Sequence, residues 1–330
     1  MLKKIERVHL EEMDNTITIS FLPYTACNYK CEYCMQNGNR TKIDFEKINL
    51  FFTNFDNMIY ELKKNLNNKD QAFRISMLGG ELSMIDWKPY FSKINSKLKK
   101  ISFITNFSAP LKYFKDLTDF CQSKGIIIRF VVSYHPSQVS LKEFTSKILD
   151  GLEMGIRIEI FKAVLDISNY KEFGEFQNWY ENNKQNFKYS KFSPNINFKA
   201  FENIDDFNSN SELKEIFQKT EQYFLSDRNK NKYDVYLDNG EYIPGVPSKI
   251  LPLKYDFNKS IPKKCIINTN SMKLTIGSNG EIYDECHVKI YGNIFKNTYN
   301  FNFDKQETIE CHKCGCRILN CSTTQRIVEY

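Results

Sequence analysis

The feature that most limits how this chain can fold is an alternation of short apolar strands with amphipathic helices across its first two hundred residues. Ile17, Ile19 and Phe21 alternate with polar residues, the period-two pattern of a strand. The Asp14-Asn15 pair before them has turn chemistry, which predicts a short hairpin back to 5–10. A helix is predicted over about 44–67, with Asp44 as its N-cap. Phe73, Ile75, Met77 and Leu78 predict a second strand running into Gly79-Gly80. Strands are then predicted at 101–105, 126–133, 156–165 and 195–201, with helices at 111–124, 141–154 and 170–183 between them. Six strand-helix units predict a parallel α/β sheet. A closed eight-unit barrel takes ~250 residues. The alternation here stops near position 201, so the expected fold is a partial (β/α)6 TIM-like barrel over 1–201. Its reactive groups are expected at the carboxyl ends of the strands.

The remainder has a different texture. Residues 202–264 form an irregular connecting region, with one helix predicted at 212–225 and turn-rich chain around Pro244, Pro247 and Pro252. From 265 to 330 the chain has short strands, cysteines and glycine turns (Gly277, Gly280, Gly292, Gly315). It holds too little apolar sequence for a core of its own, which predicts a small cysteine-rich, metal-stapled subdomain. No apolar run approaches the ~20 residues of a bilayer span. The opening Met-Leu-Lys-Lys-Ile-Glu-Arg leads into no apolar stretch, so a cytoplasmic location is expected. The net charge of +6 is spread over short pairs such as Lys63-Lys64 and Lys99-Lys100. Neither a membrane nor a nucleic acid is expected as partner.

Ten cysteines in a reducing compartment point to metal rather than to disulfides. Cys27, Cys31 and Cys34 cluster near the start, and Cys265, Cys286, Cys311, Cys314, Cys316 and Cys321 near the end. Cys121 stands alone in a helical stretch, where a small buried thiol is expected. The first cluster reads C-x3-C-x2-C. On a helix, spacings of four and three would put all three thiols on one face. Pro23, Gly38 and several Asn residues surround the segment, however, and it directly follows the first strand. It is expected to be a loop at a strand's carboxyl end, where α/β proteins place their chemistry. Three thiolates there can hold three irons of a cubane cluster and leave the fourth open to an outside ligand. A zinc site or a set of redox thiols are the alternatives.

The Cys27, Cys31, Cys34 spacing after the first strand, with Tyr33 at the aromatic position, resembles the signature of the radical S-adenosylmethionine (SAM) superfamily. The resemblance implies a 4Fe–4S cluster on the triad, with SAM chelated at the open iron. It implies that Gly79, Gly80 and Glu81, after the second strand, contact the methionyl amino group, and Tyr33 is carried over as a cofactor contact. Taken alone, a Gly-Gly pair is a turn. Asn106, in a Thr105-Asn106 pair where the family often continues with glycine and this chain has Phe107, is implied as a further SAM contact. So is Ser133 at the end of the fourth strand. Glu159 and Lys162 on the fifth strand are candidates whose direction the sequence leaves open. His135, before Pro136, is a candidate for a catalytic acid or base; a structural hydrogen-bonding role is the alternative.

Asn279-Gly280 between two alternating apolar stretches predicts a hairpin that brings Cys286 back towards Cys265. Cys311-His-Lys-Cys314-Gly-Cys316 and Cys321 follow. This pattern resembles the SPASM/Twitch extension of radical SAM enzymes, although the spacing after Cys314 is shorter and a final cysteine is lacking. The resemblance implies one auxiliary Fe–S cluster on Cys265, Cys286, Cys311 and Cys314, with Cys316 and Cys321 as substitutes. Zinc satisfies four thiolates equally, and His287 and His312 stand beside candidate ligands. Spacing does not separate the two metals.

The activity implied is reductive cleavage of SAM to a 5′-deoxyadenosyl radical that abstracts hydrogen from a substrate. An electron donor such as flavodoxin or ferredoxin would supply the electron. Relatives with this extension most often crosslink, oxidise or epimerise peptides or proteins, which is the expectation here. Only 26 residues precede Cys27, so no separate leader-binding domain is expected. A dehydrogenase or epimerase of a small sugar or alcohol is the alternative, and an RNA-modifying enzyme stands third. A non-enzymatic Fe–S or zinc protein would account for the cysteines but not for Gly79-Gly80-Glu81.

Overall fold

The computed structural model describes residues 5–10, 16–34, 40–66, 72–95, 98–166, 168–187, 190–196, 210–226, 232–237, 239–247, 264–268, 273–284, 289–302, 306–309 and 326–329. The strands over the first two hundred residues are β1 (Ile5–Leu10), β2 (Thr16–Phe21), β3 (Ala72–Met77), β4 (Leu98–Thr105), β5 (Ile127–Tyr134), β6 (Ile158–Leu165), β7 (Lys191–Phe192) and β8 (Asn195–Ile196). Beyond them come β9 (Lys232–Leu237), β10 (Tyr242–Pro247), β11 (Lys264–Asn268), β12 (Lys273–Ile276), β13 (Glu281–Tyr283), β14 (Ile290–Asn293), β15 (Thr298–Tyr299), β16 (Gln306–Ile309) and β17 (Arg326–Glu329). The helices are α1 (Phe45–Lys64), α2 (Lys88–Phe91), α3 (Leu111–Ser123), α4 (Leu141–Glu153), α5 (Tyr170–Asn183) and α6 (Ser211–Ser226). The chain divides into two compact units. Phe21–Phe52 and Ile75–Thr220 make a central unit; Met1–Ser20, Thr53–Arg74 and Glu221–Tyr330 make a terminal one.

The central unit is mixed α/β with a large parallel sheet. β4 pairs with β5, β5 with β6, and β6 with both β7 and β8, all in parallel. Parallel neighbours need crossovers, and α3, α4 and α5 supply them. In register, Phe103 meets Phe130, and Val132 meets Phe161. This face packs on the helices: Phe130 lies 5.2 Å from Phe114 of α3, and Tyr134 lies 5.1 Å from Phe144 of α4 and 5.0 Å from Phe176 of α5. Aromatic rings bury much apolar area each, which suits a sheet covered by helices. Ile104, Ser133, Ile160, Lys162 and Val164 point the other way, since side chains alternate along a strand, and are half-buried.

Local chemistry sets the helix starts. Asp44 Oδ1 accepts the Lys47 N–H at 3.0 Å, so it caps α1 as expected. Ser140 and Glu143 form a reciprocal capping box at α4. Phe21 stacks on Phe51 of α1 at 3.7 Å, and Phe52 meets Trp87 and Phe91 edge-on.

The terminal unit contains a six-stranded antiparallel sheet in the order β10-β9-β1-β17-β11-β16. It also holds the antiparallel run β12-β13-β14-β15. The Asn279-Gly280 hairpin forms as expected between β12 and β13, with Gly280 at a φ of 82°. The hairpin expected between 5–10 and the next strand does not form. β1 has β9 on one side and β17 on the other, so both its ladder edges are taken. Asn54 of α1 donates to the Ile294 carbonyl at 2.7 Å, which ties that helix to the turn after β14. Among the described residues no helix is long and apolar enough to cross a membrane.

At the start of β6 the Glu159 carboxylate gathers Lys100 at 3.0 Å, Arg129 at 3.2 Å and Arg157 at 2.7 Å. These residues stand at the amino-terminal ends of β4, β5 and β6, so Glu159 lies away from the carboxyl ends. Lys162 pairs in register with Ser133 nearer those ends. Burial raises the Glu159 pKa, but the bonds from Lys100 and Arg129 outweigh it and hold the carboxyl below its usual range. Glu159→Gln should lower stability by about 1–3 kcal/mol in urea unfolding, because three cations lose their shared acceptor. With a depressed folded pKa, the wild-type advantage should be full above the ordinary carboxylate range and fade as pH falls through and below it.

Candidate metal and cofactor site

Five loops follow strands β2 to β6 at their carboxyl ends, and four of them are linked by hydrogen bonds around the cysteine triad. The loop after β2 carries Cys27, Cys31 and Cys34. Its approach, Tyr24 to Ala26, runs beside Gly79-Gly80-Glu81. The Gly80 N–H donates to the Tyr24 carbonyl at 3.0 Å, and the Glu81 N–H to the Ala26 carbonyl at 2.9 Å. There is no room for side chains in this contact. A Cβ at Gly79 would overlap the Tyr24 carbonyl oxygen, and one at Gly80 the Ala26 carbonyl. Gly79 also has a φ of 148°, which side chains rarely adopt. The two glycines thus set where the cysteine loop begins.

Glu81 is buried and its carboxylate is occupied by protein donors. Oε1 accepts from the Thr105 hydroxyl at 2.6 Å and the Ser83 N–H at 2.9 Å, and Oε2 from the Asn106 N–H at 2.6 Å. Burial raises its pKa, and these donors act against the rise. Glu81 therefore fastens the end of β3 to the end of β4. Asn106 carries the link onward: its amide donates to Asn28 Oδ1 at 2.9 Å, and Asn28 donates to the Ser108 hydroxyl at 3.0 Å.

Phe107 stands where the resemblance leads one to expect glycine, and its φ of 59° is the left-handed conformation that glycine adopts freely. The ring is buried and lies 4.3 Å from Phe114, and the backbone N–H donates to Thr105 Oγ1 at 2.9 Å. Packing holds a strained residue in place.

Further contacts complete the loop. Arg40 donates to the carbonyls of Cys27 at 3.4 Å and Tyr29 at 2.5 Å. Gln138, in the turn after β5, accepts the Lys30 N–H at 3.2 Å. The Cys34 N–H donates to the Cys31 carbonyl at 3.2 Å, a turn rather than a helix. Arg40, Asn28 and Gln138 were missed in the sequence because isolated polar residues in loops carry no spacing signal.

Cys27, Cys31 and Cys34 are free thiols. Cys27 accepts the Tyr29 N–H at 3.4 Å. Cys31 is 4% exposed, and His135 Nδ1 lies 3.4 Å from its sulfur. The same Nδ1 is 3.0 Å from the Tyr33 hydroxyl, and the hydroxyls of Tyr33 and Ser137 also bond to Cys31. The His135 ring is stacked parallel to Tyr33 and meets Tyr29 edge-on. Burial pushes up the pKa of Cys27 and of Cys31, so the free thiols stay protonated until a metal replaces the proton. Burial lowers the His135 pKa to about 4, so the ring is neutral at physiological pH. Cys121, by contrast, is fully buried on α3, and burial pushes its thiol up to about 12.

Among the described residues no three His, Cys, Asp or Glu side chains stand close enough to share one metal ion. A cubane cluster makes a different demand, since each thiolate takes its own iron. Three thiols on one pinned loop, with His135, Tyr33 and Ser137 gathered at the most buried sulfur, fit that group. Ser133 lies two residues before His135 and is half-buried. Cys265 lies on β11 between β16 and β17. Cys286, Cys311, Cys314, Cys316, Cys321, His287 and His312 lie outside the described residues.

No family model matches the chain, and no curated protein matches it. Among solved structures, a hexahistidine-tagged anSMEcpe with bound AdoMet aligns at 14% identity and a TM-score of 0.46, over 85% of this chain and 75% of that one. The likeness is too distant to carry weight, and the function rests on the residues described above.

Gly80→Ala should destabilise the chain by about 1–3 kcal/mol, as an overpacked contact does. It should also lower the iron bound per chain after anaerobic reconstitution. Gly125→Ala, whose Cβ would meet nothing within 4 Å, should leave iron binding unchanged. Phe107→Gly should be more stable in urea than Phe107→Ala by about 1 kcal/mol, because only the alanine keeps the left-handed penalty.

Proposed function

We propose that the chain is a radical SAM enzyme whose cluster is held by Cys27, Cys31 and Cys34. The observation that carries this is the fastening of the triad loop to Gly79-Gly80-Glu81 by backbone contacts that admit no side chain. The parallel β4–β7 strands with helical crossovers, and loops gathered at their carboxyl ends, support a partial barrel as the scaffold. A 4Fe–4S cluster bound there, with SAM on its open iron, would supply the electron that splits SAM into methionine and a 5′-deoxyadenosyl radical. The protein's share is to hold and orient. The triad takes three irons, the glycine segment lies against the loop's approach, and Asn106 and Glu81 keep the β3 and β4 ends in register with it. Ser133, Lys162 and the half-buried sheet face offer polar groups to a substrate.

The C-terminal cysteines support an auxiliary Fe–S cluster on Cys265, Cys286, Cys311 and Cys314, with Cys316 and Cys321 as substitutes. An enzyme so equipped is proposed to act on a peptide or protein, drawing electrons from a flavodoxin or ferredoxin. Anaerobically reconstituted protein with SAM and dithionite should form 5′-deoxyadenosine, and replacing Cys27, Cys31 and Cys34 together with alanine should reduce that to background. Protein that binds zinc without iron or sulfide at the triad would overturn the assignment.

A further inference from the structure

The three thiols of the triad are not equivalent in their surroundings. Cys27 receives one backbone N–H at 3.4 Å, with the amide of Asn106 farther off at 4.0 Å. Cys31 is met by His135 Nδ1 at 3.4 Å and by the hydroxyls of Tyr33 and Ser137. These groups come from two loops: Tyr33 belongs to the cysteine loop itself, whereas His135 and Ser137 follow β5. The turn that places them is fixed by Gln138 and Val139, whose N–H groups donate to the His135 carbonyl at 2.9 and 3.2 Å. Gln138 in turn accepts the Lys30 N–H. The ring lies against both Tyr33 and Tyr29. A sulfur that ligates a metal carries negative charge and accepts hydrogen bonds far better than a neutral thiol, so this gathering of polar groups suits a ligating sulfur.

We propose that His135 carries its ring proton on Nδ1 and donates it, beside the Tyr33 hydroxyl, to the sulfur of Cys31 when that sulfur ligates iron, and that this pair raises the reduction potential of the cluster. The inference rests on the cluster-binding function above. Its physical basis is that a cluster gains negative charge when reduced, and hydrogen bonds to its sulfurs stabilise that charge and tune its potential. His135 is then a positioning and tuning residue rather than an acid or base for the substrate. Nδ1 cannot donate to Cys31 and also accept from Tyr33, so the tautomer is set by the state of the sulfur. As a free thiol, Cys31 can donate to a bare Nδ1; as a thiolate it can only accept.

The test is an EPR-monitored redox titration of the anaerobically reconstituted full chain, with iron and sulfide measured on each sample. His135→Phe keeps a flat ring against the tyrosines and removes the donor, so its midpoint potential should move to more negative values with cluster content unchanged. His135→Asn places an amide N–H near the position of Nδ1 and should restore most of the wild-type potential. Tyr33→Phe should shift in the same direction as His135→Phe. A His135→Phe protein with a full cluster and wild-type potential overturns the proposal, as does an Asn variant that shifts as far as Phe. If His135→Phe fails to fold or to hold its cluster, Tyr33→Phe decides: a negative shift supports the proposal, and an unchanged potential overturns it. A wild-type chain that takes up no iron and sulfide sinks both this inference and the proposed function. A clustered wild type with unshifted variants sinks this inference alone.

Discussion

Everything at the candidate site depends on how closely two stretches of backbone approach each other. Gly79 and Gly80 bring the end of β3 against Tyr24–Ala26 at a separation where a single methyl would collide with a carbonyl oxygen. That contact fixes the first residue before Cys27, and from it the loop's other anchors follow. Backbone hydrogen bonds at such a contact have little freedom to adjust, because neither strand end has a flexible side chain between them. A loop held this way loses little further entropy when it takes up a ligand, which is what a preorganised metal site requires.

The anchors are distributed across separate strand ends. Glu81 joins the β3 and β4 loops, Asn106 and Asn28 join the β4 loop to the cysteines, and Gln138 joins them to the β5 turn. Glu81 is buried, and three donors satisfy its carboxylate, so it acts as a structural clasp in this arrangement. At the amino-terminal ends of β4, β5 and β6, Glu159 collects three cations. One carboxylate thus braces each end of the parallel sheet, the first through hydrogen bonds in the interior and the second through partly exposed ion pairs.

Much of the local structure was legible in the chain. The helices at α1, α3, α4 and α5 and the strands β3 to β6 fall where apolar periodicity and the Asp44 cap put them, within a few residues. The turn at Asn279-Gly280 was equally clear, because a left-handed glycine between alternating strands has few other uses. The pairing of β1 was not legible. Its partners, β9 and β17, lie hundreds of residues away, and strand pairing at such separation leaves no short-range mark. Of the strand expected at 195–201, residues 195 and 196 pair with β6, and the rest lie outside the described residues.

By itself the sequence determined which ligating groups the chain carries: three thiols at fixed spacing after a strand, a Gly-Gly-Glu segment after the next, and a second cysteine group near the end. Composition and spacing suffice for that because ligand identity is a property of the residues. Only the tertiary structure decided what those residues do to each other. It placed His135 and Tyr33 on one sulfur, occupied Glu81 with Thr105 and Asn106, and took Glu159 to the far end of its strand. The reason is that hydrogen bonds and burial act over a few ångströms in space, between residues that the chain keeps as much as 104 positions apart.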